Sequence, residues 1–208
     1  DALDRRIKVF YINKPIGSHN PWYLLKLLHC YKSFKADILH LHSPGSEKLF
    51  TPKNNNERRI VTIHNETIVI PFSKTVDQYI AISQCVLESF KQKTGHDNCI
   101  ICYNGIDISK FKCKKEYSKK PYKMVALGRI LFNVKAQDLI VEAISKLPIE
   151  IRKDIHLDII GDGKDADILK TLVKELGIED NVTLIGNVPN TFVTENLCKY
   201  DLLLCASH

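Results

Sequence analysis

Val125-Ala126-Leu127-Gly128-Arg129, followed six residues after the arginine by Lys135, decides how this chain is read. The apolar run is that of a buried strand, the glycine ends it, and an apolar helical stripe begins soon after, so the predicted unit is a strand feeding a helix. Such a turn is expected to place a guanidinium, an ammonium and free backbone N–H groups at one helix N-terminus, where an anion is favoured. A diphosphate site built on Gly128, Arg129 and Lys135 follows from that reading.

The same grammar repeats downstream. Asp158-Ile159-Ile160-Gly161-Asp162-Gly163, then Val182-Thr183-Leu184-Ile185-Gly186, then Tyr200-Asp201-Leu202-Leu203-Leu204-Cys205-Ala206-Ser207 each follow a helix-like segment. Strands are predicted over 124–127, 155–160, 182–185 and 201–205. Between them, Leu139, Ile140, Ala143, Ile144 and Leu147 read as one helical stripe, and Ile168, Leu169, Leu172, Val173 and Leu176 as another that Gly177 terminates. A shorter helix is predicted over 191–199. Strand and helix in alternation give a parallel sheet with right-handed crossovers.

The first half of the chain is less regular but similar. Residues 7–12, 37–42, 59–64, 79–82 and 99–103 are strand-like, and helices fit 21–34 and 83–94, the latter with Ser83 as its N-cap and Gly95 just past its end. The fold class predicted is therefore α/β, with two Rossmann-like parallel-sheet domains facing across a cleft. Expected bounds are 1–106 for the first domain, 107–123 for a basic linker and 124–208 for the second. Ligands of open α/β sheets bind at the carboxyl ends of the strands, so the site is expected between the domains.

Composition is compatible with this. At 208 residues, 44% hydrophobic and 26% charged, the chain is that of a soluble globular protein with room for two cores. No apolar run approaches a membrane-spanning helix, and residues 1–10 lack the apolar stretch of a signal peptide. Net charge is +6, and the excess lies in residues 110–123, with seven lysines against one glutamate. Two readings of that segment stand: a solvated interdomain connection, or peripheral contact with an anionic membrane surface or lipid diphosphate. Seven scattered cysteines read as reduced thiols of a cytoplasmic protein. Cys99 and Cys102, three apart in a strand, point to opposite faces and cannot share a metal.

Taken in order, and with Ile101-Cys102-Tyr103-Asn104-Gly105-Ile106-Asp107 upstream, these motifs resemble the family-four (group 1) nucleotide-sugar glycosyltransferases of the GT-B fold, of the bacterial surface-polysaccharide type. The resemblance covers nearly the whole chain. It implies a retaining transferase that moves a sugar from a nucleoside-diphosphate donor to a glycan or lipid-linked acceptor in cell-surface polysaccharide synthesis, without cofactor, metal or nucleic acid. The implied location is cytoplasmic and peripheral at the inner face of the cell membrane. By the same resemblance, Arg129 and Lys135 hold the donor diphosphate and His64 faces the transferred sugar. Gly128, Gly161, Asp162 and Gly163 line the nucleotide side, and Gly186 and Val188 lie near the base. The family has glycine after its lysine where Ala136 stands here, a departure expected to be mild because a small residue still admits a phosphate. The family's Glu-x7-Glu segment would follow Ser207-His208 and its glycine-rich first loop would precede Asp1, so the chain reads as the middle of a longer protein. Two other readings are a non-catalytic nucleotide-sugar-binding partner subunit and a metal-dependent hydrolase built on His40, His42 and His64.

Overall fold

A computed structural model of the chain describes residues 6–53, 56–66, 72–117 and 120–207. It divides into two compact units, one running to Ile106 and the other beginning at Asp107.

In the first unit, four strands form one parallel sheet in the order β1 (Ile38–Leu41), β2 (Arg58–Ile63), β3 (Gln78–Ala81), β4 (Cys99–Ile101). The strands are short, with Val, Ile and Leu prominent in β1, β2 and β4 and Tyr79 and Ala81 buried in β3. Leu41, Val61, Ile63, Tyr79 and Ala81 pack with Val86 and Phe90 of helix α2 (Gln84–Thr94) to make the core. Helix α2 begins where Ser83 caps it, the hydroxyl accepting from Val86 N at 3.3 Å, and ends where Gly95 takes φ +69°. Removing the cap in Ser83→Ala should lower stability by about 1 kcal/mol in urea unfolding.

Helix α1 (Pro21–Phe34) starts after Asn20, whose side chain accepts from Trp22 N. It is fastened by Tyr31, whose hydroxyl donates to Glu57. Glu57 in turn takes the Nε of the fully buried Arg59 at 2.5 Å, and the same guanidinium donates to the carbonyls of Glu47 and Phe50. One buried cation thus ties β2 to the 3-10 turn Ser46–Leu49 that follows β1. The strand expected over residues 7–12 does not form: among the described residues no ladder partner meets it, and Ile7, Val9, Phe10 and Tyr11 stay exposed.

The second unit carries β5 (Tyr122–Leu127), β6 (Ile155–Ile160), β7 (Val182–Gly186) and β8 (Leu202–Leu204), all parallel, in the order β7-β6-β5-β8. Helices α3 (Phe132–Lys135), α4 (Gln137–Ser145), α5 (Ile149–Arg152), α6 (Ala166–Glu175) and α7 (Asn190–Asn196) connect them. Met124, Ala126, Leu157 and Ile159 pack against Ile140, Val141, Ile144, Leu169 and Val173. The expected stripes are out of phase in part. Helix α4 buries Gln137, Ile140, Val141 and Ile144, while Leu139 and Ala143 face outward, and Ile168 of α6 is also exposed. Apolar residues flank both sides of the true stripe, so period alone fixed the element and not its rotation.

The basic segment is only partly free. Lys114 pairs with Asp201 at 2.8 Å, with the two side chains 15% and 7% exposed, and Lys120 pairs with Asp154 at 2.6 Å. Asp201 also takes the amide of Lys123, so the segment is fastened to the β5 and β8 edge before the strand begins at Tyr122. Among the described residues no helix is long and apolar enough to cross a membrane.

Candidate functional site

From β5 to β6 to β7 the second sheet grows in one direction, and the chain then returns to add β8 on the other side of β5. The switch point lies between β5 and β8, and a crevice at the carboxyl ends of such strands is where an open α/β sheet binds ligands. Gly128 and Arg129 leave β5 there, and Cys205 leaves β8. Lys135 reaches the same place: its Cε lies 3.9 Å from where a Cβ on Gly128 would be. Its ammonium also acts on Cys205, whose thiol is held below the ordinary range by hydrogen bonds from the Ser207 side chain and backbone and then by Lys135.

A cleft of about 380 Å³ opens beside these groups. Leu127, Gly128, Arg129, Ile160, Gly161, Asp162, Asn187, Val188 and Val193 line it. Gly128, Arg129, Gly161, Asp162 and Val188 are thereby brought together, whereas Lys135, Gly163 and Gly186 stand just outside the lining and His64 belongs to the other unit. Asn187 and Val193 were not legible as site residues, being an ordinary loop amide and an ordinary helical valine in the sequence.

Helix α4, whose apolar stripe was expected, begins at Gln137 with no side-chain cap. Ahead of it, the single-turn helix α3 and the loop that leads into it engage several of their own amides. Gly128 N donates to Ile160 O at 2.9 Å, Ile130 N to Asp162 O at 3.0 Å, Leu131 N to Gln137 Oε1 at 3.4 Å and Phe132 N to Asp165 Oδ2 at 2.9 Å. Arg129 and Lys135 bring positively charged side chains to this crevice. Gln137, 4% exposed, supports the loop from beneath by donating to Arg129 O at 2.9 Å. A polar residue at a helix start gives no sign in sequence that it will be buried.

Ala136 corrects another expectation. It is 1% exposed and adopts φ +48°, ψ +43°, between α3 and α4. A glycine there would serve the left-handed backbone rather than the approach of a phosphate, because the residue faces no open space.

Gly161 and Gly163 do permit a close approach, but of chain to chain. A Cβ on Gly161 would stand 2.0 Å from Gly128 O, and one on Gly163 would stand 2.1 Å from Ile130 O. Gly161 N also donates to Gly186 O at 2.8 Å, with Gly186 at φ +81°. The glycines that close β5, β6 and β7 are thus stitched to one another, which fixes the cleft wall.

In the first unit, three imidazoles gather at the carboxyl ends of β1 and β2. His42 Nδ1 and His64 Nε2 share a hydrogen bond at 3.0 Å, and His40 Nε2 meets Thr62 Oγ1 at 2.7 Å. The His40 and His42 ring centroids are 4.4 Å apart, those of His42 and His64 5.2 Å. Burial, then the charges of His42 and His64, hold His40 below the usual imidazole range. The rings bond to and stack on one another instead of aiming nitrogens at one point. Among the described residues no group of three or more His, Cys, Asp or Glu side chains is arranged to hold a metal.

Comparison with known proteins adds to this geometry. Residues 1–110 match the model of Glycosyltransferase Family 4, and residues 107–208 match that of Glycosyl transferases group 1. The chain is 26% identical over 180 residues to the GPI3 subunit of phosphatidylinositol N-acetylglucosaminyltransferase from Saccharomyces cerevisiae, a match covering 82% of this chain and 39% of that protein. It is 31% identical over 104 residues to the N-acetylgalactosamine-N,N'-diacetylbacillosaminyl-diphospho-undecaprenol 4-alpha-N-acetylgalactosaminyltransferase of Campylobacter jejuni, covering 49% of this chain and 27% of that one. The chain therefore spans well under half the length of these relatives. Among solved structures, a glycosyltransferase from Rickettsia africae superposes with a TM-score of 0.71 at 18% identity, covering 93% of this chain and 58% of that one. HepE from Anabaena, solved in complex with UDP and glucose, superposes with a TM-score of 0.66 at 18% identity, covering 94% and 59%. The fold is that of two Rossmann-like domains, as in GT-B glycosyltransferases.

Proposed function

Because the chain belongs to Glycosyltransferase Family 4 and is a glycosyltransferase, we propose that it takes a sugar from a nucleoside-diphosphate donor and passes it, with retention of configuration, to a lipid-linked or glycan acceptor in surface polysaccharide assembly. The observation that carries this reading is that Arg129 lines the cleft at the switch point while the Lys135 side chain reaches the adjoining Gly128. Breaking the bond between the anomeric carbon and the diphosphate leaves the electron pair on a phosphate oxygen. Two cations held there oppose that growing charge, and charge-assisted hydrogen bonds of about 1.5–3 kcal/mol each are large enough to matter. In this reading the two side chains do what a bound metal ion does elsewhere, and no cofactor takes part. Asn187, Val188 and Val193 lie where the base and ribose would rest.

A nucleoside diphosphate as the bound group is supported by the uridine diphosphate in the Anabaena neighbour. A lipid-linked acceptor is supported by the phosphatidylinositol and diphospho-undecaprenol named for the yeast and Campylobacter relatives. An acceptor at a membrane makes contact of Lys110, Lys112 and Lys115, all exposed, with anionic lipid at the cytoplasmic face part of the same proposal. The yeast relative is named as a subunit, so a nucleotide-sugar-binding partner subunit is the second reading.

Calorimetric titration with a panel of nucleoside diphosphates, UDP first, tests the central claim. Saturable binding that Arg129→Ala weakens is the expected result. If none of the panel binds, the site assignment falls. Binding without sugar transfer in the full-length protein would favour the partner-subunit reading.

A further inference from the structure

His42 and His64 follow different strands, yet their rings meet through one nitrogen each. Leu41 pairs with Val61 in the β1–β2 ladder, so His42 comes level with Thr62, and His64, two residues further along, faces the same side. The 3.0 Å contact joins His42 Nδ1 to His64 Nε2, which leaves His42 Nε2 and His64 Nδ1 facing outward from the pair. Both rings are exposed.

A nitrogen-to-nitrogen hydrogen bond holds one proton, and this constrains both rings. If His42 donates, its own Nε2 is a bare acceptor and His64 carries its proton on Nδ1. If His64 donates, the roles exchange: His64 Nδ1 becomes the acceptor and His42 Nε2 the donor. In either case the neutral pair offers one donor and one acceptor outward, at opposite ends of the pair, and the two are linked: when one ring presents a donor the other presents an acceptor. Adding one proton turns both outward nitrogens into donors, and adding a second breaks the shared bond.

We propose that His42 is a positioning residue for His64: the shared hydrogen bond holds the His64 ring and couples the nitrogen that carries its proton to the tautomer of His42, so that His64 presents its outward nitrogen in one direction to a ligand hydroxyl. This rests on the reading of His64 as the residue that faces the transferred sugar. The third ring does not join the bond: His40 is anchored on Thr62 and lies tilted against His42, the centroids 4.4 Å apart.

Imidazole nitrogen spectra of the chain labelled at histidine would decide this, since the shifts separate protonated from bare nitrogen at each ring. In His42→Leu, where no partner meets Nε2, the balance between the two His64 tautomers should differ from the parent's. In His42→Asn, whose amide sits where Nδ1 stood, the balance should move back toward the parent's. An unchanged His64 tautomer balance in His42→Leu overturns the proposal, and so does a His42→Asn variant that behaves like His42→Leu. Turnover measured separately on the full-length protein addresses the sugar reading: His42→Leu should lower kcat by about fivefold with KM little changed and shift the acid limb of the pH profile, corresponding to the loss of one oriented hydrogen bond. Altered spectra with unaltered turnover would retire His64 as the sugar-facing residue while leaving its dependence on His42 established.

Discussion

Lys135→Ala is expected to lower donor turnover at least about tenfold, and Lys135→Ala combined with Arg129→Ala by about a hundredfold or more. Both side chains act on charge that grows as the diphosphate leaves, so the loss should fall on kcat and kcat/KM together rather than on KM alone. Lys135→Arg should recover part of the rate, because a cation remains, but not all of it, since a planar fork cannot take the place of a compact ammonium lying over Gly128. Steady-state kinetics of the full-length protein with its donor would check this. Turnover equal to the parent's in Lys135→Ala would remove the residue from the mechanism and with it the leaving-group role. Loss of the fold is not expected in these variants, because Arg129 is exposed and Lys135 half-buried, and neither lies in the core.

Gly161→Ala, by contrast, should cost stability rather than chemistry, by at least about 3 kcal/mol. Gly161 adopts φ +140°, a backbone region that side chains rarely enter, and its new methyl would stand 2.0 Å from the carbonyl oxygen of Gly128. Backbone cannot swing aside as a flexible side chain does, and that carbonyl belongs to a loop whose amides are already bonded on both sides of it. Gly177→Ala makes the control: φ is +61° there too, but nothing lies within 4 Å of the added carbon, so the cost should be near 1 kcal/mol. Denaturant unfolding of the three proteins separates conformational strain from collision. Equal losses in Gly161→Ala and Gly177→Ala would show that the contact with Gly128 is slack.

Much of the architecture could be read before any coordinates. Short runs of Val, Ile and Leu announced the strands, Pro21 marked the start of α1, and Gly95 and Gly177 marked where α2 and α6 stop. What failed was what depends on distant partners. Residues 7–12 have the composition of a strand but no neighbouring ladder, and a strand is defined by its partner as much as by its own residues. Leu139 and Ile168 fit the helical period yet face outward, because a period has no phase until the sheet beneath supplies one. At the site, the two cations and the glycines were visible as a pattern, whereas the reason for the glycines was not. Gly161 and Gly163 answer to Gly128 and Ile130, over thirty residues earlier in the chain, and nothing in local spacing announces that collision.

Ala136 and Gln137 teach the same lesson on a smaller scale. One stands in a backbone shape that a glycine would hold more easily, and the other is a polar side chain buried to support the loop that presents Arg129.

The stitching of Gly128, Gly161 and Gly186 sets a rule for redesign. Because each strand end is shaped to the next, transplanting any one of these turns from a relative would import a backbone its neighbours do not fit. Under the proposed function, a change of donor preference would be sought at Asn187, Val188 and Val193, which line the opening while the frame behind them stays as it is.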